Sequence, residues 1–149
     1  MRLKLTEKWP AVTDTFVAAD ESGQPLYTVT AKTFALRDTL HLRDAHGQIA
    51  ASVQAGWLGG YRVVSGEREL ATISGGSPPR VQVAEAGSFV VAGDIAGREY
   101  KIADRSRVLA TVSRKIFSLA EQYGLDVPDP ADALLAVAVA VALHRRQHD

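Results

Sequence analysis

The stretch that most constrains this chain lies near its end. From Ala131 to Leu143 the sequence is apolar apart from Asp132, and Ala133 to Leu143 is apolar on every face. Helix-start signals precede it: Asp129 suits the cap, Pro130 the first helical position, and Asp132 adds negative charge to the first turn. His144, Arg145 and Arg146 follow, where cations complement the carbonyl end. The valine content also fits a buried strand, but the signals at both ends favour a helix over about 130–146. About thirteen helical residues span roughly 20 Å, short of a bilayer core of roughly 30 Å. A helix with no polar face cannot lie on a surface. It has to be surrounded by protein.

The rest of the chain supplies the surroundings. From Leu3 to about Val127 short β-rich segments alternate with turns. Thr15–Ala19 and Leu26–Thr30 flank Asp20-Glu21-Ser22-Gly23; Leu40–Arg43 and Gln48–Val53 flank Asp44-Ala45-His46-Gly47. Asp94…Gly97 repeats the same D-x-x-G turn, and Gly75-Gly76-Ser77-Pro78-Pro79 breaks both helix and central strand. Ten to twelve strands at near-regular spacing predict an all-β sandwich or closed barrel. With the helix added, the expectation is an antiparallel barrel enclosing a hydrophobic C-terminal α-helix, in one domain over 1–149.

Composition narrows the function classes. The 149 residues carry 17 Lys+Arg against 17 Asp+Glu, a formal charge of zero, which argues against a strongly basic nucleic-acid binder. There is no cysteine, hence no disulfide, zinc-thiolate site or thiol nucleophile. Met1 to Pro10 alternates charged and apolar residues and does not read as a signal peptide. A cytoplasmic protein, or one peripheral at a membrane, is the expectation, without a transmembrane span.

No catalytic constellation stands out. There is no G-x-S-x-G, and neither Gly56–Gly60 nor Gly75-Gly76 matches a phosphate loop. His144 and His148 have the i,i+4 spacing of a zinc pair but no third ligand nearby, and read as a solvated tail. Asp126, Asp129 and Asp132 form a weak carboxylate cluster better explained by the helix start. Trp57 in its glycine-flanked loop suits an interfacial aromatic or a plug at the barrel end. Arg105, Arg107, Arg114 and Lys115 are the candidate ligand-binding residues. Read as strand, Arg105 and Arg107 share a face able to grip phosphate, against the alternative of charges that keep a surface strand soluble. No cofactor or metal is expected.

Several blocks carry a family resemblance: Phe16-Val17 with Gly23–Val29, Lys32–Arg37, Leu40–Gly47, Gly93-Asp94, Glu99–Ile102, Val112–Phe117 and Tyr123–Val127 before Asp132–Leu135. In order, they cover nearly the whole chain. They resemble the LURP-one-related proteins of the Tubby C-terminal-like superfamily, which also contains the phospholipid scramblases. The resemblance implies a twelve-stranded barrel around a central helix. Tubby-like domains bind phosphoinositides through basic side chains, and scramblases are associated with membranes and calcium. The scramblases' cysteine-rich region and a D-x-[DN]-x-[DN]-G calcium loop are absent here, so scrambling is not expected. The expected function is a non-enzymatic binding module for an anionic lipid headgroup or other phosphate-bearing ligand at a basic barrel face. The alternatives are a scaffold for a protein partner and, less favoured, an enzyme with a barrel-end site. No nucleic-acid partner is expected.

Overall fold

The computed structural model describes residues 1–8, 13–32, 39–56, 59–114 and 122–146. Twelve strands form one closed antiparallel barrel: β1 (Arg2–Lys8), β2 (Thr13–Ala19), β3 (Pro25–Lys32), β4 (Thr39–Arg43), β5 (Ile49–Ala55), β6 (Tyr61–Ser65), β7 (Arg68–Ile73), β8 (Arg80–Val83), β9 (Gly87–Asp94), β10 (Glu99–Ala103), β11 (Val108–Ser113) and β12 (Gln122–Asp126). Each pairs with its sequence neighbours, and β1 closes the sheet on β12, with Leu5 opposite Tyr123. Closure removes every exposed sheet edge.

Two-residue alternation decides which side chains face the lumen. Tyr61 and Val63 point in with Arg62 out; Tyr100 and Ile102 point in with Lys101 out. The lumen is filled by α1 (Ala133–Arg146), entered through a short 3₁₀ turn, Pro130–Asp132, where the sequence led us to expect α-helix already. Asp129 caps that turn, its Oδ1 accepting from the Ala131 N–H at 3.0 Å. Every residue from Ala136 to His144 is at most 1% exposed. The alternating alanines let the wall approach on all sides, so the helix is core around its full circumference. Among the described residues, no helix is long and apolar enough to cross a membrane.

The D-x-x-G turns follow the expected chemistry at two of three places. Asp20 and Asp44 each accept backbone N–H groups from two and four residues on, and Gly23 and Gly47 take the positive φ. The third differs. Asp94 accepts from the Gly97 N–H at 2.9 Å, and the positive φ falls on Arg98, at +60°. A left-handed non-glycine costs energy and persists where its side chain is needed.

Strand parity gives the barrel two poles. The helix-start pole gathers the β2–β3, β4–β5, β6–β7, β8–β9 and β10–β11 turns with Met1 and Asp129. The helix-end pole gathers the opposite strand ends with Arg145 and Arg146.

Candidate functional site

The arginines expected to share a strand face do not. Arg105 and Arg107 lie in the turn between β10 and β11, where Asp104 Oδ1 accepts the N–H groups of Ser106 and Arg107 at 2.8 Å each. Alternation does not operate in a turn held that way, and this corrects the strand reading. Arg107 bonds Asp132 at 3.0 Å and lies over the Phe89 ring, 5.2 Å from its centroid. Arg114 follows the far end of β11, at the other pole, with its Nε donating to the Gly97 carbonyl at 3.1 Å. Lys115, Trp57 and His148 lie outside the described residues.

The poles differ in charge, which the net charge of zero conceals. Among the described residues, the helix-start pole carries Asp20, Glu21, Asp44, Glu67, Glu85, Asp104, Asp126, Asp129 and Asp132 against Arg2, Lys4, Arg43, Arg68, Arg105 and Arg107. At the helix-end pole the balance among the described residues reverses. Strand and helix ends there bring Lys8, Lys32, Arg80, Arg114, Arg145 and Arg146 together. Among the described residues, the acidic ones placed there are Glu7, Asp14, Asp94 and Glu99. Glu7 is engaged with Arg98, Asp94 with its own turn, and Glu99 with the Ser113 hydroxyl and the Arg114 N–H. Arg80 and Arg114 are exposed.

Beneath this pole sits a buried polar network. Its centre is His144, fully buried rather than in a solvated tail as the sequence suggested. Geometry explains the correction. Strands of up to eight residues, tilted at about 40°, make a wall roughly 20 Å high, and fourteen helical residues span about the same. The helix is therefore still inside the barrel one residue beyond the apolar run.

Glu7 holds the network together. Its Oε1 accepts from Arg98 Nε at 2.8 Å and contacts Arg98 Nη2, while Arg98 Nη1 donates to the Ile95 carbonyl at 2.8 Å. Its Oε2 accepts the Tyr123 hydroxyl at 2.6 Å and lies 3.0 Å from His144 Nδ1. Tyr123 and Tyr100 bracket the imidazole, each hydroxyl 2.6 Å from one ring nitrogen. Three strands, the β9–β10 connection and the helix are thereby joined at one point. The Ala/Val surface of α1 has little shape to fix its depth in a cylindrical lumen, and this network supplies a register.

Electrostatics follow from burial. Burial alone raises the Glu7 carboxyl, but His144, Tyr123 and Arg98 outweigh it and lower it to about 2. Burial also pushes both phenols up from their ordinary range. A depressed carboxyl stabilises the fold fully above its unfolded value near 4.5, and that contribution is withdrawn as pH falls towards 2. At about 1.4 kcal/mol per unit, wild type is expected to lose about 3 kcal/mol over that window. Urea denaturation of Glu7→Gln at matched pH checks this: the variant's loss over the same range should be smaller by that amount.

Comparison with known proteins bears on the whole chain. An uncharacterized Bacillus subtilis protein, YxjI, is 24% identical over 149 residues, covering 96% of this chain and 91% of that protein. The X-ray structure of an Arabidopsis thaliana protein superposes with a TM-score of 0.67 at 16% identity, covering 95% of this chain and 89% of that one. At that identity the likeness speaks to the fold alone. The LURP-one-related family profile matches residues 1–144. The chain belongs to the LURP-one-related family.

Proposed function

We propose that this domain is a non-enzymatic binding module that takes an anionic, phosphate-bearing ligand, a membrane headgroup, at the helix-end pole. The observation that carries the reading is the segregation of charge: among the described residues, that pole collects six cations from five chain segments, while Glu7, Asp94 and Glu99 are already engaged. Arginine forks suit phosphate oxygens, and the resemblance to Tubby-like and scramblase-like proteins supports a headgroup over a free anion. The candidate residues divide accordingly: Arg114 belongs to the proposed face, and Lys115 follows it in sequence. Arg105 and Arg107 sit among carboxylates at the opposite pole and are not assigned to it.

Two observations favour binding over catalysis. The lumen is occupied by α1, and the buried acids, phenols and imidazole are spent on one another. With both phenols raised by burial, neither supplies a base or nucleophile near neutral pH.

Co-sedimentation with vesicles tests the reading. Binding to vesicles containing anionic lipid is expected at low salt, weakened at physiological salt and absent with neutral vesicles. Absence of binding to anionic vesicles at low salt would contradict it. A protein partner would then become the leading reading, with the cleft of about 310 Å³ bordered by Arg68, Leu70, Val83, Leu134 and Leu135 as the first place to look.

A further inference from the structure

The barrel mouth at the helix-start pole is not sealed. β8, with four residues, is the shortest of the described strands, and the turn after it carries Ala84 and Ala86, whose side chains reach little beyond the backbone. The first turn of α1 is covered only in part on that side. Leu134 and Leu135 stay half-buried, whereas Ala136 and the helical residues up to His144 are closed off. Leu70 from β7 and Val83 from β8 are likewise half-buried against the core. Between these side chains lies a cleft of about 310 Å³, with both walls inside the described residues. That is the lower end of the range of roughly 300–1,000 Å³ for small-molecule sites. At roughly 30 Å³ per water it holds about ten waters, the bulk of a ligand with about ten non-hydrogen atoms.

Four half-buried aliphatic side chains around one cleft favour an apolar occupant. The two charged side chains that border it select the headgroup. Asp132 is engaged: it accepts from Arg107 Nη1 at 3.0 Å, and Arg107 is held in turn over the Phe89 ring. Arg68 is held less firmly. Its Nη2 lies 3.5 Å from a Glu85 carboxylate oxygen, and the two side chains are 64% and 86% exposed, so water screens the pair. Glu85 shows that a carboxylate reaches the guanidinium fork. A ligand carboxylate can replace it there while Glu85 turns to water. The rim thus offers its cation and withholds the Asp132 anion.

We propose that this cleft is a binding site for an aliphatic monocarboxylate of about eight carbons, its chain on Leu70, Val83, Leu134 and Leu135 and its carboxylate on Arg68. The site lies at the pole opposite the proposed headgroup face and does not depend on it. A ligand of about ten non-hydrogen atoms with ordinary efficiency has a Kd on the order of 0.1–1 mM.

Methyl NMR of the full chain, titrated with sodium octanoate at pH 7.5, reads the site. Saturable shifts of the Leu70, Val83, Leu134 and Leu135 methyls are expected in that concentration range. Octanol and octylamine keep the chain and change the headgroup, and each should bind about fivefold more weakly. Arg68→Gln should weaken octanoate about fivefold and leave octanol unchanged. Ala84→Leu fills the cleft and should remove both. Both substitutions fall at exposed positions; should either variant fail to fold, the three headgroups on wild type decide. No saturable methyl shifts at octanoate concentrations about tenfold above that range would overturn the site. Octylamine or octanol binding as tightly as octanoate, or octanoate affinity unchanged in Arg68→Gln, would overturn the proposal equally.

Discussion

Replacing Arg98 by methionine is expected to lower the unfolding free energy by about 3–5 kcal/mol, because it leaves the buried Glu7 carboxylate without its cation. The two side chains are only 5% and 10% exposed, so water screens them little. Glu7→Gln removes the charge from the other side and leaves the guanidinium stranded. The double variant Glu7→Gln/Arg98→Met has neither orphan. It should be more stable than the sum of the single losses implies, by about 2 kcal/mol. Urea denaturation of the four proteins forms the cycle, and strict additivity would show that the pair is not coupled. Arg98→Gly is an instructive companion. Glycine relieves the left-handed backbone at φ +60°, a gain of about 1 kcal/mol. It is still expected to destabilise, since the lost ion pair outweighs the relieved strain.

The second large effect concerns the helix interior. Single aspartate substitutions at Ala136, Val137, Ala138 and Val139 should each cost more than about 4 kcal/mol, since each places an unpaired carboxylate where nothing is exposed. Against a typical total of about 5–15 kcal/mol, that is enough to unfold much of the protein. Four consecutive positions cover more than a full helical turn. A surface helix would tolerate the change on its outer side, giving a 3.6-residue rhythm in the losses. A helix enclosed by a barrel gives none. Thermal melts of the four variants, or their recovery as folded protein, would show which pattern holds.

The fold was legible because its determinants are local. The apolar circumference of Ala133–Leu143 admits no surface position, and the turn spacing yields strands whose number the family resemblance completed. The site was less legible because its determinants are distant. Glu7 and His144 are 137 residues apart and meet only when β1 closes on β12 around the helix. His144 looks like the start of a polar tail until the barrel's height is known. Arg98 gave no sign, because Asp94…Gly97 reads as the same D-x-x-G turn as the other two and only the structure puts the positive φ on Arg98. Arg105 and Arg107 misled for the opposite reason. Their alternation suggested a strand face, but Asp104 two and three residues before Ser106 and Arg107 is itself a turn signal. The charge poles were invisible in composition, since strand parity sorts the charges only after the barrel is closed.

That sorting carries the functional reading, and one comparison tests it most directly. Arg80→Ala/Arg114→Ala removes two exposed cations from the helix-end pole; Arg105→Ala/Arg107→Ala removes two from the helix-start pole. At about 1 kcal/mol per cation near an anionic surface, the first pair should weaken co-sedimentation with anionic vesicles about thirtyfold at low salt. The second pair should leave it nearly unchanged. Equal losses from both pairs, or a loss confined to Arg105 and Arg107, would contradict the assignment of the binding face.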